Sequence, residues 1–279
     1  MSISPGRKEP IDEAVPADQR PRLNRLNRLR ALWALWAEGR CALGAIATIP
    51  SAQVVQVLAA SGLDFLLIDM EHGPVGPAEA HTMIASTAGT PLVPLARVAA
   101  TTPWHAKVPL DLGAMGVCFP LVSTRADAEA AVRAVRYPSR GERAWGPFYA
   151  PLRWALSMRD YLDRADDEVL AIATVEHIDA LPTIGEVVST PGLDLAFIGP
   201  GDLATSMGHR GRAEHPEVQA AMLRFEEAIR PSPVVLGGVA PTPEQANAMV
   251  ARGYRALVVG FDWSLLQRGC AVAIEGVVR

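Results

Sequence analysis

Eight short runs of apolar and β-branched residues recur along this chain, separated by Ala-rich stretches of helical periodicity, and that alternation leaves few folds open. The runs cover residues 42–48, 65–69, 92–96, 116–120, 169–175, 195–198, 234–236 and 256–259. Helical stretches lie near 52–61, 77–88, 103–112, 125–135, 178–188, 216–229, 243–252 and 263–276. Pro77, Pro103, Pro216 and Pro243 open four of them, where the missing N–H has no intrahelical acceptor to lose. The runs are apolar throughout rather than alternating, as strands covered on both faces must be. Eight strand–helix units in 279 residues fit an α/β fold of the (β/α)8 TIM-barrel kind, a single domain over residues 29–279. An open doubly wound sheet is the alternative. No glycine-rich dinucleotide or phosphate loop follows the first run, which weighs against it.

Residues 1–28 carry Pro5, Pro10, Pro16 and Pro21, many charges and little apolar periodicity, so they read as a flexible tail. Leu23, Leu26 and Leu29 recur every third residue within a basic stretch and read as a leader into the first barrel helix. A net charge of −4 argues against nucleic acid or an anionic membrane surface as partner. No run approaches the roughly 18 apolar residues of a membrane span, and the N-terminus lacks a secretory apolar core. Cys41, Cys118 and Cys270 lie far apart without metal spacing and read as reduced core thiols, with the cytoplasm as the expected location.

Barrel enzymes carry their chemistry at the C-terminal strand ends. Those positions form a polar set in an otherwise apolar chain: Asp69, Glu71 and His72 after the second strand, Arg97 after the third, Glu176 and His177 after the fifth, and Gly199-Pro200-Gly201-Asp202 after the sixth. Each alone could be a cap or a satisfied ion pair. Together, two carboxylates, an arginine and a histidine converge on one mouth. Neighbouring strands lie about 4.8 Å apart, so Glu176 and Asp202 could share a cation. Carboxylates at these ends, without Cys or clustered His, favour Mg²⁺ or Mn²⁺. Such an ion polarises a carbonyl oxygen, Arg97 adds fixed positive charge, and His72 can move a proton near neutral pH. The Gly-Pro-Gly turn offers backbone N–H groups to a carboxylate. A Schiff-base mechanism lacks its lysine, since the chain has only Lys8 in the tail and Lys107 in a helix.

At these residues the chain resembles the HpcH/HpaI family of class II pyruvate aldolases, whose relatives include the citrate lyase beta subunit and macrophomate synthase. The resemblance runs from about residue 32 to about 274. It rests on linked motifs at 62–74 (GLDFLLIDMEHGP), 94–97 (PLAR), 110–117 (LDLGAMGV), 136–143 (RYPSRGER), 175–176 (VE), 197–203 (FIGPGDL) and 206–208 (SMG). It implies a divalent ion, Mg²⁺ or Mn²⁺ with Co²⁺ a third choice, bound by Glu176 and Asp202. It also implies a 2-oxo acid chelating that ion, and Arg97 at the keto or enolate oxygen. His72 would act with water as the acid–base relay, Asp111 as a supporting aspartate, and the N–H groups of Gly201 and Asp202 as the carboxylate cradle. The implied assembly is a homohexamer of dimers that exchange the C-terminal helix, here about 263–276.

The chain departs from the family pattern at four places. Thr174 stands at a substrate-contacting position where many of these aldolases carry glutamine. His177 follows the metal glutamate and is expected at the surface of a helix start. Pro109 is expected to kink the helix before Asp111. The bulky loop 144–149 (AWGPFY) is expected to line a more apolar acceptor site. The expected reaction is aldol cleavage or formation of a 4-hydroxy-2-oxo acid from pyruvate and an aldehyde through a metal-stabilised enolate. Oxaloacetate decarboxylation or another pyruvate-enolate lyase reaction on the same site is the alternative. A non-catalytic barrel subunit that binds metal and 2-oxo acid is the alternative of another class.

Overall fold

The computed structural model describes residues 26–278. Eight parallel strands close into a barrel in chain order: β1 (Ala42–Ala47), β2 (Phe65–Asp69), β3 (Val93–Arg97), β4 (Gly116–Phe119), β5 (Leu170–Val175), β6 (Leu195–Ile198), β7 (Val235–Val239) and β8 (Ala256–Phe261). Pairing of Ala42 with Ala256 closes the ring between β1 and β8. All eight strands fall on the runs read from the sequence. Four of them, β2, β4, β5 and β6, are buried along their whole length, as both-face coverage demands.

The helices wrap the barrel as α1 (Leu26–Ala37), α2 (Ala52–Ala59), α3 (Pro77–Ser86), α4 (Pro103–Asp111), α5 (Arg125–Val135), α6 (Ala150–Trp154), α7 (Met158–Glu168), α8 (Ile184–Val188), α9 (Pro200–Ser206), α10 (Pro216–Ile229), α11 (Pro243–Ala251) and α12 (Asp262–Ile274). Side-chain oxygens of Ser51, Thr124 and Thr242 cap three of them. The helical stretch read over 178–188 is two pieces, a 3-10 turn at Ile178–Ala180 and then α8. Helix α4 continues through Pro109 to Asp111, with the proline leaving the His105 carbonyl without its i→i−4 donor.

Two elements had no counterpart in the sequence reading. Helices α6 and α7 fill the long passage between α5 and β5, anchored by Trp154 and Tyr161, whose rings meet edge to face at 5.1 Å. In α7 only Tyr161 and Ala165 are buried, and its seven charged residues make the segment polar overall although Met158, Tyr161, Leu162 and Ala165 keep helical spacing.

The expected tail lies on residues outside those described, except at its end: α1 starts at Leu26. Arg28 is buried there and donates to the carbonyl oxygens of Thr87 (3.0 Å) and Leu92 (2.7 Å), just before β3. Trp36 Nε1 donates to Arg255 O, just before β8, at 2.9 Å. Helix α1 therefore lies across the N-terminal end of the barrel, with Leu29 and Leu32 in the core. Leu32→Ala should lower the urea midpoint by an amount matching roughly 2–5 kcal/mol and leave turnover unchanged. An unchanged midpoint would show that α1 is not part of the core.

Candidate active site

The C-terminal strand ends enclose a cavity of about 520 Å³. Its charged side begins with β2 and β3, whose register pairs Asp69 directly with Arg97. The Asp69 carboxylate is fully buried and accepts from Arg97 Nε (3.0 Å) and Nη2 (2.6 Å), and from the backbone N–H groups of Glu71 (3.1 Å) and His72 (3.2 Å). Burial works against its charge, but the Arg97 bonds and charge and the two N–H donors outweigh it, holding Asp69 below the ordinary carboxylate range. Arg97 Nε also lies 3.2 Å from Glu71 Oε2, and Nη1 is the guanidinium nitrogen not used in these contacts.

Glu71 joins the site although the sequence reading gave it no role. Its other oxygen lies 3.7 Å from His72 Nε2. Burial first, with the like charges of Asp69 and Asp202, raises its carboxyl above the ordinary value despite Arg97 and His72. The signal was its place in the Asp-Met-Glu-His run at a strand end, masked by its neighbours' more familiar roles.

Glu176 follows β5 and is buried. The Leu121 N–H donates to its Oε1 at 2.9 Å, from a residue held at φ 53°, a left-handed conformation that costs about 1–2 kcal/mol for a side chain of this kind. Its Oε2 lies over Gly199, where an added Cβ would come within 2.6 Å of that oxygen, so the glycine makes room for the carboxylate. Burial, then the charges of Asp202 and Glu71, pushes Glu176 up to about 7. Asp202 is exposed in the first turn of α9, and by helix geometry the N–H groups of Gly201 and Asp202 have no intrahelical acceptor there. Mutually repelling carboxylates with oxygen donors only are the donor set a hard divalent cation relieves, so these residues fit one.

The opposite side of the cavity is apolar: Ile46 from β1, Val239 from β7, Val258 and Phe261 from β8, and Trp263 from α12. Asp262 pins this wall. Its buried carboxylate accepts from the Thr48 hydroxyl and N–H (both 2.9 Å), Ile49 N–H (2.7 Å) and Trp263 N–H (2.8 Å). On the floor, Thr174 is buried with its hydroxyl 3.1 Å from Cys118 Sγ. Burial pushes that thiol up to about 12, so it stays protonated and is no nucleophile.

His72, Arg97, Thr174, Glu176, Gly201 and Asp202 thus share one cavity. Asp111 does not join them within one chain. Helix α4 runs back from the mouth, and Met115, just past it, bonds to Pro94 O at the start of β3. At that far end Asp111 accepts from buried Arg143 Nη2 at 3.0 Å. Loop 144–149 lies beside it, with Gly146 against Asp111, so the expected aromatic acceptor wall is not part of the cavity within one chain. His177 caps the 3-10 turn, its Nδ1 accepting from Asp179 N–H at 3.3 Å, outside the cavity.

A family model described as HpcH/HpaI aldolase/citrate lyase matches residues 47–268. The chain is 41% identical over 229 residues to a hydroxypyruvate/pyruvate aldolase of Sagittula stellata, covering 82% of this chain and 90% of that one. It is 36% identical over 237 residues to a 4-hydroxy-2-oxo-heptane-1,7-dioate aldolase of Klebsiella pneumoniae, covering 83% and 87%. A crystal structure of an HpcH/HpaI aldolase/citrate lyase family protein from Burkholderia cenocepacia superposes with a TM-score of 0.82 at 34% identity, over 88% of this chain and 98% of that one.

A proton and a cation compete for Glu176 below its raised pKa. Mn²⁺ affinity should therefore be level above pH 8 and weaken by up to about tenfold per unit as pH falls through about 7. Without metal, the same group favours the folded state at low pH and loses that contribution as pH rises from 4.5 to about 7. Isothermal titration across this range checks the first effect. A pH-independent affinity would show that Glu176 does not hold the ion.

Proposed function

Because the chain belongs to the HpcH/HpaI aldolase/citrate lyase family and is a carbon–carbon lyase, we propose that it forms and cleaves 4-hydroxy-2-oxo acids from pyruvate and an uncharged, apolar aldehyde. The observation that carries this reading is the two-sided cavity, with its charged groups on β2, β3, β5 and α9 and its apolar wall on β1, β7, β8 and α12.

A divalent cation between Glu176 and Asp202, Mg²⁺ or Mn²⁺ by the all-oxygen donor set with Co²⁺ a third choice, supplies Lewis-acid stabilisation of negative charge on the 2-oxo oxygen when bound. Arg97, fixed by Asp69, adds positive charge from Nη1 at the same oxygen, with no reorganisation needed during the reaction. The N–H groups of Gly201 and Asp202 hold the pyruvyl carboxylate. Thr174 lies below, where its small side chain, engaged with Cys118, leaves floor space for the substrate. In cleavage, the 4-hydroxyl loses its proton, the C3–C4 bond breaks, and its electron pair enters the enolate. His72, exposed beside Glu71, takes that proton through water and returns it in the reverse direction.

The acceptor class follows from what surrounds the apolar wall. Arg97 is the one arginine or lysine among the described lining residues; Asp69 and Glu71 take its Nε and Nη2, and Nη1 serves the 2-oxo oxygen. A second carboxylate on the aldehyde would meet no partner and several like charges. One unpaired, desolvated carboxylate costs well over the 1.4 kcal/mol that makes a tenfold preference.

The assembly reading rests on α12. Of its residues only Asp262 is buried, while Leu266, Val272 and Ile274 stand exposed. On the outer barrel face, Leu43 of β1 is 39% exposed in a groove with Cys41, Ala246, Val250 and Val259. These are donor and acceptor surfaces for a helix exchanged between copies, the unit of a dimer-based hexamer. A supporting role for Asp111 at the reacting atoms would require such a second copy. Three free cysteines support a reducing compartment such as the cytoplasm. No helix among the described residues is long and apolar enough to cross a membrane.

Metal-dependent exchange of pyruvate methyl protons in D2O tests the enolate half alone. Glu176→Ala and Asp202→Ala should each reduce it by about 10²-fold or more while the fold persists. Full exchange in either variant would remove the proposed site. With exchange intact, kcat/KM for a neutral aldehyde should exceed that for a carboxylate-bearing one of equal length by roughly tenfold or more, a margin that Trp263→Ala erodes. A preference for the anionic aldehyde would overturn the acceptor assignment alone.

A further inference from the structure

The loop between α9 and α10 brings together a second set of metal-ligating groups that the aldolase site does not use. Gly208 (φ 79°) and Gly211 (φ 72°) adopt left-handed conformations, so the chain reverses twice within a few residues. Backbone bonds from His209 N–H to Ala204 O (2.7 Å), Arg212 N–H to His209 O (2.8 Å) and His215 N–H to Arg212 O (3.0 Å) fix the path. Gln219 Nε2 closes it on Ala213 O at 2.8 Å. The rings of His209 and His215 consequently stack, with centroids 3.7 Å apart and planes at 16°. Glu217, in the first turn of α10, places Oε2 2.8 Å from His209 Nε2. One ligand atom from each of the three residues lies within 4.8 Å of the others, and none of the three lines the aldolase cavity.

We propose that His209, His215 and Glu217 form a second metal site, for Zn²⁺ or a similar transition-metal ion. Two imidazole nitrogens and one carboxylate oxygen are donors for a borderline ion, whereas Mg²⁺ takes oxygen. Three protein ligands leave water in the remaining position. Ligands at about 2.0–2.1 Å from a tetrahedral ion stand about 3.3 Å from one another, so small side-chain rotations complete the site. The rings turn from stacked to convergent, and the ion replaces the proton shared by His209 and Glu217. That proton moves to His209 Nδ1 or to solvent. Arg212 Nη2, which reaches Nδ1 only at 3.4 Å from an exposed side chain, swings away. Arg212 is thus a cation beside a cation site, and it weakens binding. The bound ion would brace the end of α9, the helix carrying Asp202, against the start of α10.

The test uses the full chain, stripped with EDTA and saturated with Mg²⁺ so that the carboxylate site is filled. Zn²⁺ is titrated calorimetrically, and Co²⁺ by its visible ligand-field absorption. One equivalent per chain, beyond any matched by release of Mg²⁺ from the carboxylate site, should bind and raise the thermal midpoint. His209→Ala and His215→Ala should each weaken it by about tenfold or more, and Arg212→Ala should tighten it. The equivalent should survive Glu176→Ala, and Mg²⁺-supported turnover should survive both histidine changes. Absence of the additional equivalent, its persistence in the histidine double variant, or its loss in Glu176→Ala would overturn the proposal. Weaker binding in Arg212→Ala would overturn it as well, since a group that merely hydrogen-bonds the cluster into shape would give that result.

Discussion

The mouth of this barrel is organised around one buried ion pair, the Asp69 carboxylate locked to the Arg97 guanidinium across paired positions of β2 and β3. Sheet register, not side-chain choice, decides that the two meet. Removing one partner of such a pair typically costs about 3–5 kcal/mol, because the other charge is left buried alone. The pair also serves as a jig. Its carboxylate collects the N–H groups of Glu71 and His72, fixing the turn that presents both, and its guanidinium keeps one nitrogen uncommitted to these contacts. A neighbouring Glu71 then brings further negative charge towards Glu176 and Asp202.

That crowding sits within a barrel that is otherwise apolar, and the contrast gives the cavity two faces. On one, fixed charges and turn amides suit a small 2-oxo acid. On the other, Phe261 and Trp263 are held by Asp262, a carboxylate whose oxygens are taken up by four donors and which therefore acts as a rivet rather than a reagent. Backbone strain is placed in the same region. Leu121 accepts a left-handed backbone so that its N–H can orient Glu176, and Gly199 gives up a side chain so that the carboxylate has somewhere to lie.

The barrel was readable because parallel strands covered on both faces leave unbroken apolar runs, and all eight were found within a few residues. Helix α7 was not, since its apolar positions Met158, Tyr161, Leu162 and Ala165 keep helical spacing but sit among so many charges that the segment reads as polar overall. The gathering of His72, Arg97, Glu176 and Asp202 followed from counting strand ends. Glu71 was not singled out, because a sequence does not tell which polar residue of the Asp69-Met70-Glu71-His72 run turns back onto Arg97. Asp111 and loop 144–149 were placed by resemblance rather than by topology, and topology puts both at the other end of the barrel. The His209, His215 and Glu217 cluster needed two left-handed glycines to assemble it, and linear spacing carries no trace of that.

The central claim is that Glu176 and Asp202 hold one cation over which the enolate charge develops. Anomalous scattering from crystals grown with Mn²⁺ and pyruvate tests it most directly. The account predicts a Mn²⁺ peak in the cavity, coordinated by both carboxylates and by the pyruvate oxygens, with Arg97 at the keto oxygen. Two carboxylates directed to separate places, with no peak bridging them, would contradict it.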